Sequence, residues 1–185
     1  LYDGSGNPTS YYNGKATYTP TWQNGRRMTS LQATVQGASF TSTFCYDADG
    51  IRTGKTALGK THSYVTQNGK VVRDTVTSGS TTQILDFIYD ESGKPFALTY
   101  TNGTASATYY YVLNLQGDVI GLINESGIYV AQYTYNAWGE LLSASGTMAS
   151  INPLRYRGYY CDGETGFYYL QSRYYDPVTH RFINA

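Results

Sequence analysis

The sequence is poor in charge, in cysteine and histidine, and in long apolar runs. Charged residues make up 14% of the 185, with 13 Lys+Arg against 13 Asp+Glu, well under the usual quarter. No net charge therefore steers the chain toward nucleic acid or an anionic membrane. Two cysteines, Cys45 and Cys161, stand far apart with no CxxC spacing, and read as small buried hydrophobes rather than a disulfide or redox pair. His62 and His180 are isolated, so no metal site is expected. No segment is apolar for long enough to span a bilayer, and no secretory leader pattern opens the chain. No nucleophile elbow, phosphate-cradling loop or dinucleotide fingerprint occurs, and no cofactor is expected.

What is abundant is tyrosine, 21 residues, and glycine, 20 residues, with aromatics at 16%. Tyr and Thr pack well on pleated surfaces, and glycine supplies turns. Short stretches alternate with period two: Phe40, Ser42, Phe44, Tyr46; Phe96, Leu98, Tyr100; and Tyr129, Ala131, Tyr133, Tyr135. Near the end Tyr168, Leu170, Ser172 and Tyr174 alternate with Tyr169, Gln171, Arg173 and Tyr175, so both faces carry aromatic area. Each pattern reads as a strand. Asn13-Gly14, Asn24-Gly25, Asn68-Gly69 and Asn102-Gly103 are hairpin signals. The one helical turn is expected within Ser143–Leu154, limited by Pro153.

A mark recurs, Tyr-Asp-x-x-Gly: Tyr46, Asp47 and Gly50; Tyr89, Asp90 and Gly93; and, with one residue altered, Tyr2, Asp3 and Gly6. Degenerate copies end at Gly25, Gly69, Gly117 and at Trp138-Gly139. Glycines 6, 25, 50, 69, 93 and 117 are 19, 25, 19, 24 and 24 residues apart, so the chain is built from copies of one supersecondary unit. In each copy Asp is expected to accept backbone N–H groups, Gly to make the turn and Tyr to close the strand.

These marks resemble the YD-repeat, or Rhs-repeat, family. The C-terminal third carries the resemblance further, in Tyr109–Ile120, Tyr133–Glu140, Asn152–Tyr160, Glu164–Pro177 and Arg181–Ile183, which are similar to the Rhs repeat-associated core. The last copies of the mark lie there, Cys161-Asp162 with Gly166, and Tyr175-Asp176. Cys161 replaces a usual Tyr, and His180 a usual Gly, which puts the backbone of that turn in question. The resemblance implies an all-β fold, an open, strongly twisted antiparallel sheet of consecutive hairpins that is a segment of a spiralling β-shell. Degenerate repeats would occupy 1–108 and the core 109–185, in one continuous sheet with no flexible linker.

The resemblance also implies a structural role. The chain would be the C-terminal wall of a toxin-encapsulating shell, or of a secreted or cell-surface bacterial protein, with the rest of that shell and its toxin as partners. Alternatives are an extracellular adhesin whose tyrosines stack on a glycan, and a remnant of an aspartate-dependent self-cleaving core. Asp162 and Asp176 are the candidates for that chemistry, since paired carboxylates can share a proton, but both sit in turn signatures and read as structural. The Asp-Pro-x-Gly segment tied to self-cleavage is not among these residues, nor is a toxin domain, and the chain reads as a segment of something longer. A cut sheet leaves an unpaired edge, from which self-association through that edge, or a cap over it, is expected.

Overall fold

The structure, a computed structural model, describes residues 1–35 and 37–184. Its wall is a 13-stranded antiparallel sheet in sequence order. The strands are β1 (Tyr11–Tyr12), β2 (Ala16–Gln23), β3 (Arg27–Val35), β4 (Ala38–Tyr46), β5 (Arg52–Ala57), β6 (Lys60–Gln67) and β7 (Lys70–Ser78). They continue as β8 (Thr81–Tyr89), β9 (Pro95–Asn102), β10 (Ala105–Leu113), β11 (Val119–Ile123), β12 (Tyr129–Tyr135) and β13 (Leu141–Ser145). A separate four-stranded sheet follows: β14 (Tyr160–Asp162), β15 (Phe167–Leu170), β16 (Arg173–Asp176) and β17 (Arg181–Phe182). No helix is long and apolar enough to cross a membrane among the described residues.

Because consecutive strands pair antiparallel, alternate turns fall at opposite ends of the wall. Loops 47–51, 90–94, 114–118 and 136–140 and turns 24–26 and 68–69 all follow even-numbered strands and share one end. The repeat unit is therefore two strands, and the glycine spacing marks one rim. At that rim the Tyr-Asp loops share one geometry. The N–H of Asp47 donates to the Ile51 carbonyl, that of Gly50 to the Asp47 carbonyl, and that of Ile51 to Asp47 Oδ1 at 2.8 Å. Asp90, Asn114 and Asn136 repeat it, so the side-chain oxygen closes an Asx-type turn. The copies at Gly25 and Gly69 differ: Asn24 (φ 49) and Asn68 (φ 51) take left-handed backbone themselves, giving tight hairpin turns instead.

The wall curls until its ends meet: Lys15, in the first hairpin turn, pairs with Glu140, in the last. Two cores fill the concave side. One gathers Leu85, Leu98, Leu122, Tyr133 and Tyr160 with their neighbours; the other joins Met28, Leu31 and Phe44 to Phe167, Tyr169 and Tyr174. Both bind the small sheet to the wall.

Several expectations need correction. The boundary at 108/109 falls inside β10, and the wall runs on to Ser145. The described residues thus form two sheets rather than one, with the change after Ser145. Phe96 does not share the inner face of Leu98. The ladder shifts between Ile88 and Tyr89, with Tyr89 opposite Pro95, so Phe96 is the extra residue of a bulge and is 54% exposed. A shift between Leu122 and Ile123 likewise sets Tyr129 opposite Ile123, on the outer face. The run 168–175 is a hairpin, turning at Gln171 (φ 60), though both faces are covered: Tyr168, Tyr169 and Tyr174 are buried. No helix forms within 143–154. Ser143, in β13, pairs with Thr134 of β12, single turns follow Gly146 and Met148, and the one 3₁₀ turn among the described residues is Tyr156–Gly158. Cys45 lies on the outer face of β4 and is exposed, and both cysteines are free.

Candidate functional site

The C-terminal sheet with the segment that leads into it lies across the rim of Tyr-Asp loops as a plug. Its side chains donate to loop carbonyls around that rim. Tyr156 OH reaches the Ala137 carbonyl at 3.1 Å, Tyr175 OH that of Trp138 at 2.9 Å, and Tyr168 OH that of Gly139 at 2.8 Å. Arg157 Nη1 reaches the Gln116 carbonyl at 2.8 Å, Gln171 Nε2 that of Gly69, and Asn184 Nδ2 that of Arg26. Strand-end carbonyls cannot all find ladder partners, and the plug offers donors to six of them, that of Gly139 buried.

The Tyr of the mark does related work inside the wall. Tyr46 OH donates to the Met28 carbonyl, Tyr89 OH to that of Val71 and Tyr135 OH to that of Val119, each at 2.8 Å. In each case the acceptor lies on the preceding strand, past the last ladder pair. Tyr46 OH also meets Tyr174 OH of the plug at 2.8 Å.

At the centre stands Arg52, fully buried at the start of β5 directly after a Tyr-Asp loop. Its Nη1 and Nη2 grip Asp162 at 2.6 and 3.0 Å. Lys55 Nζ bridges Asp162 and Glu164, both at 2.9 Å. Five rings, Phe44, Tyr64, Tyr160, Tyr169 and Tyr174, surround the guanidinium at 4.2–5.8 Å. Two cations thus face two carboxylates, and rings supply further cation–π attraction. Burial alone would raise the Asp162 carboxyl, but Arg52 and Lys55 outweigh it and hold the group at about 2. Burial would lower Lys55, and Asp162 reverses that and raises it. Burial lifts the Tyr64 and Tyr174 phenols, so both stay neutral.

Asp176 is also inward, accepting from Val178 N at 2.9 Å and from Asn13 Nδ2 at 3.1 Å. Asp162 and Asp176 lie on β14 and β16 with β15 between, two strand spacings or roughly 10 Å apart. That separation does not make a proton-sharing pair. Asp162 is occupied by an Arg fork and a Lys, and Asp176 closes a turn.

Two further anchors join plug and wall. Tyr160 OH donates to buried Asp74 at 2.7 Å, and His62 Nδ1 meets the same carboxylate at 2.9 Å. Asn152, fully buried, accepts from Tyr111 OH at 2.8 Å and donates to the Leu154 carbonyl at 2.7 Å. Arg155 stacks on Tyr133 at 4.3 Å. Between plug and wall remains a cavity of about 970 Å³, lined in part by Lys15, Lys60, His62, Glu140, Ser145 and Glu164. Among the described residues no cluster of His, Cys, Asp or Glu is suited to hold a metal ion. Burial pushes the Cys161 thiol, beside this cavity, up to about 12, which makes it a poor nucleophile.

Of the residues singled out from sequence, Asp47, Gly50, Asp90, Gly93, Gly117 and Gly139 build the rim, while Asp162, Tyr175 and Asp176 belong to the plug. Asp3 and Gly6 form an outlying loop of the same kind, where Asp3 Oδ1 accepts from Asn7 N at 2.9 Å. Trp138 stacks on His180 at 4.4 Å, and His180 adopts the left-handed backbone (φ 61) that glycine would favour. Arg52, Lys55, Glu164, Asn152 and Asn184 carry no local signal of their role. Only the position of Arg52, two residues past a Tyr-Asp glycine, was available as a hint.

The sequence model of the teneurin YD-shell family matches residues 30–185. The tRNA3(Ser)-specific nuclease WapA of Bacillus spizizenii is 34% identical over 99% of this chain. The tRNA(Glu)-specific nuclease WapA of Bacillus subtilis subsp. natto is 35% identical over the same share. The chain spans about 8% of the length of either. Among solved structures, TcdB2-TccC3 superposes with a TM-score of 0.79, covering 100% of this chain and 10% of that one at 18% identity, a likeness of fold.

Proposed function

Because the chain belongs to the teneurin YD-shell family, we propose that this YD-repeat scaffold forms the closed end of a toxin-encapsulating shell, its plug sealing the rim of Tyr-Asp loops. The observation that carries this reading is the plug's ring of donors to rim carbonyls, locked by Arg52 and Asp162. Such a layout suits a wall that must stay shut. The segment's own role is non-catalytic: the candidate carboxylates Asp162 and Asp176 are taken up by an ion pair and a turn. The relatives named as tRNA nucleases support a toxin elsewhere in the parent protein, joined to this wall. The same kinship supports a secreted or cell-surface setting.

In the full-length parent protein, the C-terminal region should resist limited proteolysis, and Asp162→Asn should expose it. Equal cleavage rates in both proteins would refute the closed-end reading. The free edge of β13, whose five residues are all exposed, favours self-association of the isolated chain. A strict monomer across concentration in sedimentation would refute that part.

A further inference from the structure

The outward side of the plug, where it meets the last two rim loops, carries a continuous belt of aromatic and arginine side chains. It starts at the tip of loop 114–118, where Leu115 is 98% exposed. Arg157 holds the neighbouring Gln116 carbonyl and lies over the Tyr156 ring at 5.2 Å. Tyr156 leads to loop 136–140 through the Ala137 carbonyl. There Trp138 is half exposed and stacks on His180. The Trp138 carbonyl accepts from Tyr175 OH, whose ring meets that of Phe182 at 5.7 Å. Arg173 lies over Phe182 at 3.8 Å. Phe182 is 42% exposed, and Arg173, His180 and Arg181 are exposed beside it.

Charge is spread unevenly over this end of the molecule, although the whole chain is neutral. In the loops at 24–27, 47–50, 68–70 and 90–94, Asp47, Asp49, Asp90 and Glu91 are balanced by four Arg and Lys. The belt instead holds three arginines. Arg157 has Asp118 at 3.5 Å, a carboxylate that is itself largely buried. Among the described residues no ion pair takes up Arg173 or Arg181. The belt is thus a cationic and apolar sector on an otherwise balanced rim.

We propose that this sector docks on an anionic lipid bilayer, with Leu115, Trp138 and Phe182 entering the interface and the arginines meeting lipid phosphates and carboxylates. Trp and Arg suit the headgroup level, because each joins an apolar body to a polar end. Every arginine near such a surface adds a small attraction, and inserted apolar tips add to it. Position decides against a protein partner. Protein hot spots sit in well-packed pockets, whereas Leu115 and Trp138 stand on loop tips and Leu115 is almost free of packing. The small number of arginines decides against nucleic acid, whose binders neutralise many phosphates. Only the plug's outward residues and two loop tips are used, so the inference does not depend on what the shell encloses.

The test is co-sedimentation of the chain with vesicles of phosphatidylcholine alone and of phosphatidylcholine with about one third phosphatidylserine, at about 0.15 M salt. Binding is expected to the anionic vesicles only. Arg173→Gln and Arg181→Gln should each weaken it about fivefold, the equivalent of ~1 kcal/mol per arginine. Leu115→Ser should weaken it about fivefold or more, and its 98% exposure leaves the fold untouched. Trp138 emission should move to the blue with anionic vesicles, a shift that Trp138→Phe removes, since Trp22 packs against a core. Equal binding to both vesicle types, binding to neither, unchanged affinity in all three binding variants, or an unmoved Trp138 emission would overturn the proposal. So would saturable binding of polyglutamate without vesicle binding, which would assign the sector to an acidic protein segment.

Discussion

Arg52 and Asp162, 110 residues apart, are joined by two charge-assisted hydrogen bonds of 2.6 and 3.0 Å in a fully buried cage of aromatic rings. One belongs to the wall and the other to the plug. The pair fixes how the end of the chain returns onto its beginning, and energetic consequences follow from its burial.

Removing one partner leaves a buried charge without compensation, so Asp162→Asn should cost about 3–5 kcal/mol. Replacing both, with Arg52→Met and Asp162→Leu, should recover a good part of that loss. Lys55 keeps Glu164 in the double variant. Urea unfolding of the two variants against the parent measures this. Equal loss in single and double variants would mean that the pair itself, rather than the stranded charge, carries the energy.

Stability should also fall in acid for a stated reason. The folded Asp162 carboxyl is held at about 2, below the ordinary 3.8. Its contribution is therefore complete above about pH 4 and lost as pH falls toward 2, on the order of 2 kcal/mol in all. The midpoint of urea unfolding, followed through that window, should drop in the parent and drop less in the double variant.

Two rim glycines separate backbone strain from plug docking. Gly139 (φ +87) and Gly117 (φ +88) share a conformation, but a Cβ on Gly139 would lie 2.4–2.9 Å from the Tyr156 ring, whereas one on Gly117 meets nothing within 4 Å. Gly117→Ala should cost about 1 kcal/mol from conformation alone. Gly139→Ala should cost that and more, and should loosen Tyr156. Thermal unfolding of both variants gives the comparison, and equal costs would show that Tyr156 yields freely.

The tyrosines of the mark should matter through their hydroxyls. Tyr89→Phe strands the Val71 carbonyl and should cost about 1–3 kcal/mol. Tyr46→Phe strands the Met28 carbonyl and also loses Tyr174, so its cost should be larger. Tyr110→Phe, on the outer face, should be close to neutral. Chemical denaturation of the three reads the order directly.

Much of this architecture was legible, and the reasons are local. Alternation gave the strands, and the Tyr-Asp mark gave the rim, because Asx turns are built from neighbours in sequence. Alternation failed at Phe96 and Tyr129, where bulges shift the phase by one residue without a sequence marker. It failed again at Gln171, a turn made without glycine or asparagine. The β5–β6 turn is half marked: Gly59 (φ 74) supplies one left-handed position, but Leu58 takes the other at φ 49 where asparagine would be the signal. The ion-pair cage was invisible because its members lie more than a hundred residues apart and become neighbours only when the wall curls. Asp162 stands in the sequence as a carboxylate of a repeated mark, but its role is set by Arg52 and Lys55, which no local pattern connects to it.

Plug and wall are held together through Arg52 and Asp162. Native-state hydrogen exchange across residues 154–184, in the parent and in Asp162→Asn, tests it most directly. Cys161, Gly166 and Ile183, whose N–H groups donate to backbone carbonyls, should be strongly protected in the parent. In the variant these should lose protection together while the inner strands of the wall keep theirs. Rapid exchange of the plug in the parent, or an unchanged pattern in the variant, would contradict it.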